Sequence, residues 1–122
     1  MSFDKSKVLG AVKLKEETIV VEEWKSKEFD GQVVVRELTS RQRDFFESQF
    51  VPERKNGKAN MADFRAKFLV NCLYTVDGEK MFDKTDVEAL AEQPSGIINA
   101  IFEVGQRISG MGEKDVDELV KN

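Results

Sequence analysis

The chain has 122 residues, the length of one ordinary domain, with 40% apolar and 34% charged residues and a net charge of −4. That acidic balance argues against a protein that holds duplex DNA or an anionic membrane by charge. There is no histidine and Cys72 is the sole cysteine, so Ser–His and Cys–His nucleophile pairs, a thiol-rich zinc site and an intrachain disulfide are all excluded.

Residues 1–10 are polar, carry charges throughout and lack the apolar stretch of a signal peptide, so they are expected to form a flexible N-terminus. Residues 11–122 are expected to form a single domain, with a β region over 11–38 and a helical region over 39–122. Val12, Leu14 and the run Thr18-Ile19-Val20-Val21 have strand character, with Lys15-Glu16-Glu17 as a turn between two short strands. Phe29-Asp30-Gly31-Gln32 supplies a second turn, since Asp-Gly accepts a positive φ. Gln32–Leu38, with three successive valines, is the next strand. The region is predicted to be a two- or three-stranded antiparallel sheet.

At Thr39 the apolar period changes. Thr39 with Gln42 three residues later is a capping box, opening a helix that runs to about Val51 and is stopped by Pro52. Leu38, Phe46 and Phe50 lie near one face, with Phe45 beside it. A polar loop, 52–59, follows. Asn60 is placed to cap a long helix over 61–76, in which Phe64, Phe68, Cys72 and Val76 recur every four residues and Asp77-Gly78 ends the helix. Met81 and Phe82 anchor an extended link. Thr85 and Glu88 form a second capping box before a short helix with Val87, Leu90 and Ala91 inward. Pro94 opens the next helix, over 95–109, with Ile97, Ile101 and Ile108 along one row and Ile98, Phe102 and Gly105 along another. Gly105 implies close helix packing and Gly110 a C-cap. Glu113–Val120 closes the chain as a short acidic helix. The fold class is therefore a predominantly helical α+β domain: a small N-terminal antiparallel β region followed by a bundle of about four to five helices.

Candidate chemistry is sparse. Asp77-Gly78-Glu79 with Asp83 and Asp86 fails the calcium-loop spacing, because the glycine falls second rather than sixth. Cys72 lies on an apolar stripe, where a thiol behaves as a small hydrophobe. Gly105, Gly110 and Gly112 lack the Gly-Lys-Ser/Thr of a phosphate loop. Carboxylate pairs such as Glu16-Glu17 and Glu22-Glu23 sit in charged, solvated runs. The basic clusters Arg36, Arg41, Arg43 and Arg54, Lys55, Lys58 are interleaved with acids and have the pattern of solvated faces. No catalytic, cofactor-binding or metal-binding residue is identified, and the chain is expected not to be an enzyme. Partner binding is the remaining class. The helices at 61–76 and 95–109 should be consumed by the core, which leaves Trp24, Phe29, Phe45, Val116, Leu119 and Val120 as candidate contact residues. For Trp24, Phe29 and Phe45 the competing reading is burial against the helices.

Several segments in order resemble a known family. They are Val35-Arg36-Glu37-Leu38-Thr39-Ser40-Arg41-Gln42-Arg43-Asp44-Phe45-Phe46-Glu47, Arg65-Ala66-Lys67 with Leu69 and Val70, Asp77-Gly78 and Met81-Phe82. Asp86-Val87-Glu88-Ala89-Leu90, Ile101-Phe102, Gln106 to Gly112 and Asp115 to Leu119 follow. The set, covering residues 33–122, is similar to the tail assembly chaperones of long-tailed bacteriophages and prophages. The resemblance implies a protein that binds the tape measure protein, keeps it soluble and helps the tail tube polymerise around it. It implies the short, non-frameshifted form, residence in the host bacterial cytoplasm and absence from the mature virion. Its partners would be the tape measure protein and the tail tube protein, with room for self-association, no cofactor, no nucleic acid and no membrane. Two other classes compete: a non-enzymatic acidic adaptor or regulatory protein of a mobile element, and a nucleic-acid module built on Arg36, Arg41 and Arg43.

Overall fold

Three successive valines put branched side chains on both faces of one strand, and that strand is the centre of the sheet. The computed structural model describes residues 3–50 and 61–111. In it β1 (Glu16–Val20), β2 (Gln32–Arg36) and β3 (Leu73–Tyr74) form an antiparallel sheet in the order β1-β2-β3. Ile19 pairs with Val33, Thr18 with Val34 and Glu16 with Arg36, while Val34 and Val35 pair with Tyr74 and Leu73 on the other side. Val33, Val35 and Leu73 are fully buried. On the opposite face the Arg36 guanidinium lies 4.0 Å from the Tyr74 ring centroid and 3.1 Å from Glu16, covering the cross-strand row that contains Val34.

The helical part follows β2. Helix α2 is Ser40–Ser48, α3 Phe64–Leu69, α4 Val87–Ala91 and α5 Ser95–Ile108; a single-turn helix α1, Lys5–Leu9, precedes the sheet. The predicted capping box opens α2: Gln42 N–H donates to Thr39 Oγ1 at 3.1 Å and Thr39 N–H to Gln42 Oε1 at 2.9 Å. Pro94 stands at the N-cap of α5. At its other end Gly110, with φ 69°, lets Met111 N–H reach Gln106 C=O at 2.9 Å and Gly110 N–H reach Arg107 C=O, a Schellman cap that returns Met111 to the core. Helix α5 packs on α3 and against the sheet. The Arg107–Glu17 pair at 2.7 Å and the Leu38 N–H bond to Ser109 Oγ fasten its last turn to the β region.

Aromatic rings fill the space between α2, α3 and α5. Phe46 meets Phe50, Phe64 and Phe68 at centroid distances of 5.0, 5.2 and 5.3 Å, and Phe68 meets Phe102 at 5.1 Å, mostly edge-to-face. Phe46 and Phe68 are fully buried. A β-carbon built on Gly105 would lie 2.7 Å from Phe68 Cε1 and 3.4 Å from Cys72 Sγ, so only glycine lets α5 approach α3 this closely.

Five local expectations differ from the structure. Residues 5–9 are helical where irregular chain is expected, because the Asp4 carboxylate accepts the Ser6 N–H at 3.0 Å. Lys15-Glu16-Glu17 is not a turn: Glu16 and Glu17 begin β1, the Glu37 N–H donates to Lys15 C=O at 2.8 Å, and the Lys15 N–H donates to the Glu37 carboxylate at 2.7 Å. The helix predicted over 61–76 ends at Leu69. Beyond it the backbone finds partners on β2, with Arg36 N–H donating to Cys72 C=O at 2.8 Å, and the strand-favouring residues after Cys72 pair rather than coil. Asp77-Gly78 is accordingly a hairpin turn and not a helix stop. Gly78, at φ 90°, allows Thr75 N–H to bond Glu79 C=O, and Tyr74 bridges Lys80. Finally, the second capping box is Asp83 with Asp86, two residues earlier than Thr85 with Glu88, because Asp83 accepts the Thr85 N–H and hydroxyl while Asp86 accepts the Asp83 N–H. The predicted loop 52–59, the Asn60 cap and the 113–120 helix lie outside the described residues.

Two substitutions test the aromatic core. Phe68→Ala should destabilise the protein by about 3–5 kcal/mol in denaturant unfolding, as loss of a fully buried ring does. Gly105→Ala should destabilise by about 1–2 kcal/mol net, since overpacking against Phe68 outweighs the gain in helix propensity. A stabilised Gly105→Ala protein would show that α5 does not lie against the Phe68 ring.

Candidate functional site

Segment 80–87, which includes the 3-10 turn Lys84–Asp86, lines two surface grooves. Its residues divide between them. Met81, Phe82 and Asp86 line a groove of about 330 Å³ with Trp24, Phe29, Ala89, Leu90 and Gln93. Lys80, Asp83, Lys84 and Val87 line one of about 340 Å³ with Phe45, Gln49, Lys67, Val70 and Asn71.

The loop between β1 and β2 builds the first groove. Glu22–Trp24 forms a short 3-10 turn, and the Trp24 N–H bonds back to Val21 C=O. Ser26 N–H donates to Phe29 C=O at 2.8 Å and holds the loop closed beneath Phe29. The indole Nε1–H of Trp24 donates to Gln93 Oε1 at 3.0 Å, and its ring meets Phe82 edge-on at 6.0 Å. Trp24 is thus an amphipathic clamp: its polar tip is satisfied while its ring stays half-exposed in the groove wall.

Of the three candidate rings Trp24, Phe29 and Phe45, the structure brings Trp24 and Phe29 to one groove. It places Phe45 elsewhere, 56% exposed at the mouth of the second groove. Val116, Leu119 and Val120 lie outside the described residues. Met81, Phe82 and Leu90 were assigned to anchoring and core roles; they are groove wall and core support at once, which no one-dimensional pattern distinguishes. At Ala89 the first groove adjoins a cleft lined by Asp63, Glu88 and Glu92. A further hollow of about 620 Å³ is lined by Met61, Phe64, Arg65 and Ile98.

The ionisable groups have structural roles. Burial pushes the Cys72 thiol up to about 12, with Lys80 pulling weakly the other way. The Thr85 hydroxyl and N–H hold the exposed Asp83 carboxyl below the usual carboxylate value. Arg36 is paired with Glu16 and Arg43 with Glu47 at 2.9 Å, so two of the three arginines of the proposed nucleic-acid patch are already engaged by carboxylates. Among the described residues no three metal-ligating side chains converge, and no helix is long and apolar enough to cross a membrane.

No family model and no curated protein sequence matches this chain. A solved structure does: the bacteriophage HK97 tail assembly chaperone aligns with a TM-score of 0.59 over 85% of this chain and 96% of that one, at 18% identity. The chain has the fold of a phage tail assembly chaperone. At that identity the likeness establishes the arrangement of elements, the small antiparallel sheet backed by helices, and not the surface chemistry.

Cys72 gives a direct check of the core boundary. Thiol reagents should label the native protein only as fast as it unfolds. Because the folded thiol's value is raised above the ordinary 9.0, its contribution to stability is full below about pH 9 and lost as pH rises toward 12. Wild type should therefore lose stability more steeply than Cys72→Ala over that window, by at most about 1.4 kcal/mol per pH unit. Rapid native labelling would place the thiol at the surface.

Proposed function

We propose that this chain is a bacteriophage tail assembly chaperone, which binds the tape measure protein, keeps it soluble in the host cytoplasm and promotes polymerisation of the tail tube around it. One observation carries the reading: the fold likeness extends over 96% of the HK97 chaperone. The resemblance of residues 33–122 to the same family, drawn from motif order alone, supports it independently.

The surface suits the task. A chaperone for a long, apolar, helical client must present apolar side chains while staying soluble itself. Here 34% charged residues supply solubility. The two grooves beside segment 80–87 supply partly exposed aromatic and aliphatic walls, with Trp24, Phe29 and Phe82 in one and the exposed Phe45 in the other. Nothing in this action needs bond-making chemistry, in keeping with a chain that has no histidine.

Co-expression with the tape measure protein of the same phage tests the proposal. Wild type should raise the soluble fraction of the client clearly. Phe45→Glu, which alters an exposed side chain and leaves the core intact, should raise it less, and a Leu119→Glu variant tests the closing residues in the same way. Client solubility that is indifferent to the presence of the chain would overturn the chaperone reading. A fully active Phe45→Glu protein would remove the Phe45 groove from the client surface.

A further inference from the structure

The two grooves beside segment 80–87 differ in charge. Among the described residues, Asp86 is the only charged side chain lining the one at Trp24. The one at Phe45 is lined by three lysines, Lys67, Lys80 and Lys84, against one carboxylate, Asp83. That carboxylate is occupied, since it accepts the Thr85 N–H and hydroxyl and caps the 3-10 turn. None of the three lysines belongs to an ion pair among the described residues, and the Lys67 ammonium lies 5.4 Å from the Phe50 ring centroid. A patch of unpaired cations is thus set into a chain whose net charge is −4.

The same groove has an apolar lining. Phe45 stands exposed at its mouth, and Val70 and Val87 contribute to its walls. Those walls come from α2, α3 and segment 80–87. A helix bonds its own N–H and C=O groups, so walls made largely of helix offer side chains and few free backbone partners. An extended peptide needs an open strand edge for its main chain, whereas a helix arrives with its backbone satisfied and presents a stripe of side chains.

We propose that this groove takes an amphipathic helix whose apolar stripe is flanked by carboxylates, the stripe meeting Phe45, Val70 and Val87 and the carboxylates meeting Lys67, Lys80 and Lys84. The inference rests on the chaperone reading for the identity of the partner: acidic amphipathic stretches of the tape measure protein are the segments this groove selects. Three lysines matched to carboxylates choose among apolar helices, which an apolar surface alone does not do.

Two synthetic helical peptides test it with the full chain. Both carry leucines at i, i+3, i+4 and i+7, flanked by glutamates in one and by lysines in the other, and binding is read from the anisotropy of a dye on the peptide. The glutamate peptide should bind about tenfold tighter, the size of effect that a few exposed ion pairs give, and the difference should shrink as salt is added. Attraction by the chain's overall charge of −4 would favour the lysine peptide, so the predicted sign belongs to the groove alone. Lys80→Glu, Lys84→Glu, which changes two exposed side chains, should reverse the preference, and Phe45→Ala should weaken both peptides. A wild-type preference for the lysine peptide, or a glutamate preference that survives Lys80→Glu, Lys84→Glu, would overturn the proposal. So would a glutamate peptide that binds only once Asp115→Asn, Asp117→Asn and Glu118→Gln are introduced, which would assign the groove to the chain's own closing residues. Co-expression with the tape measure protein separates this inference from the chaperone reading. Client solubility raised equally by wild type and by Lys80→Glu, Lys84→Glu would overturn the inference and leave the chaperone reading standing. Solubility indifferent to wild type, with the peptide preference intact, would overturn the chaperone reading and the partner assignment together while supporting the charge selectivity of the groove.

Discussion

The Phe68 ring occupies the space that a side chain on Gly105 would need. This close approach sets α3 directly on α5, and α5 in turn lies on the sheet, so the distance between the two apolar helices is fixed by one missing β-carbon. Phe46, Phe64 and Phe102 then close around Phe68, and α2 is held by its contribution of Phe46 and Phe50 to that cluster. Loosening the contact would release three elements together, because the ring sits at their common boundary.

The surface follows from the same packing. With α3 held against α5 and cut short at Leu69, the chain has room to turn at Cys72 and pair with β2. The Asp77-Gly78 hairpin then delivers segment 80–87 across the molecule, where Met81 and Phe82 face the β1–β2 loop and Val87 faces Phe45. Trp24 fastens that loop to Gln93 between α4 and α5. Both grooves are thus products of the core geometry.

Features set by neighbours in sequence were legible in it: the Thr39–Gln42 box, the Asp30-Gly31 turn, Pro94 at the start of α5, Gly110 at its end and the close approach at Gly105. Each is a local constraint of backbone or cap chemistry. The error at 61–76 has a non-local cause. The four-residue spacing of Phe64, Phe68 and Cys72 is met by a short helix followed by a turn as well as by a long helix. Only the free edge of β2, some forty residues earlier, decides between them. The two Asp-Gly pairs illustrate the point, since both form turns beside strands, yet the second followed an apolar run with helical spacing. For the candidate site, the aromatic residues were legible but their grouping was not. Trp24 and Phe29 share a groove with Phe82 that only the fold assembles. Val12, which has strand character in sequence, lies exposed before β1 begins at Glu16.

Charge completes the account. Two of the three arginines that in sequence suggest a nucleic-acid patch are engaged, Arg36 by Glu16 and Tyr74 and Arg43 by Glu47. A binding function through those grooves is the central claim, and Trp24, the only tryptophan in the chain, is built into the wall of one of them. Titration of the protein with a tryptophan-free helical fragment of the tape measure protein, followed by Trp24 emission, measures occupancy directly. A saturable shift of the emission to shorter wavelength is the predicted result; an emission spectrum unchanged while the fragment is bound would contradict the account.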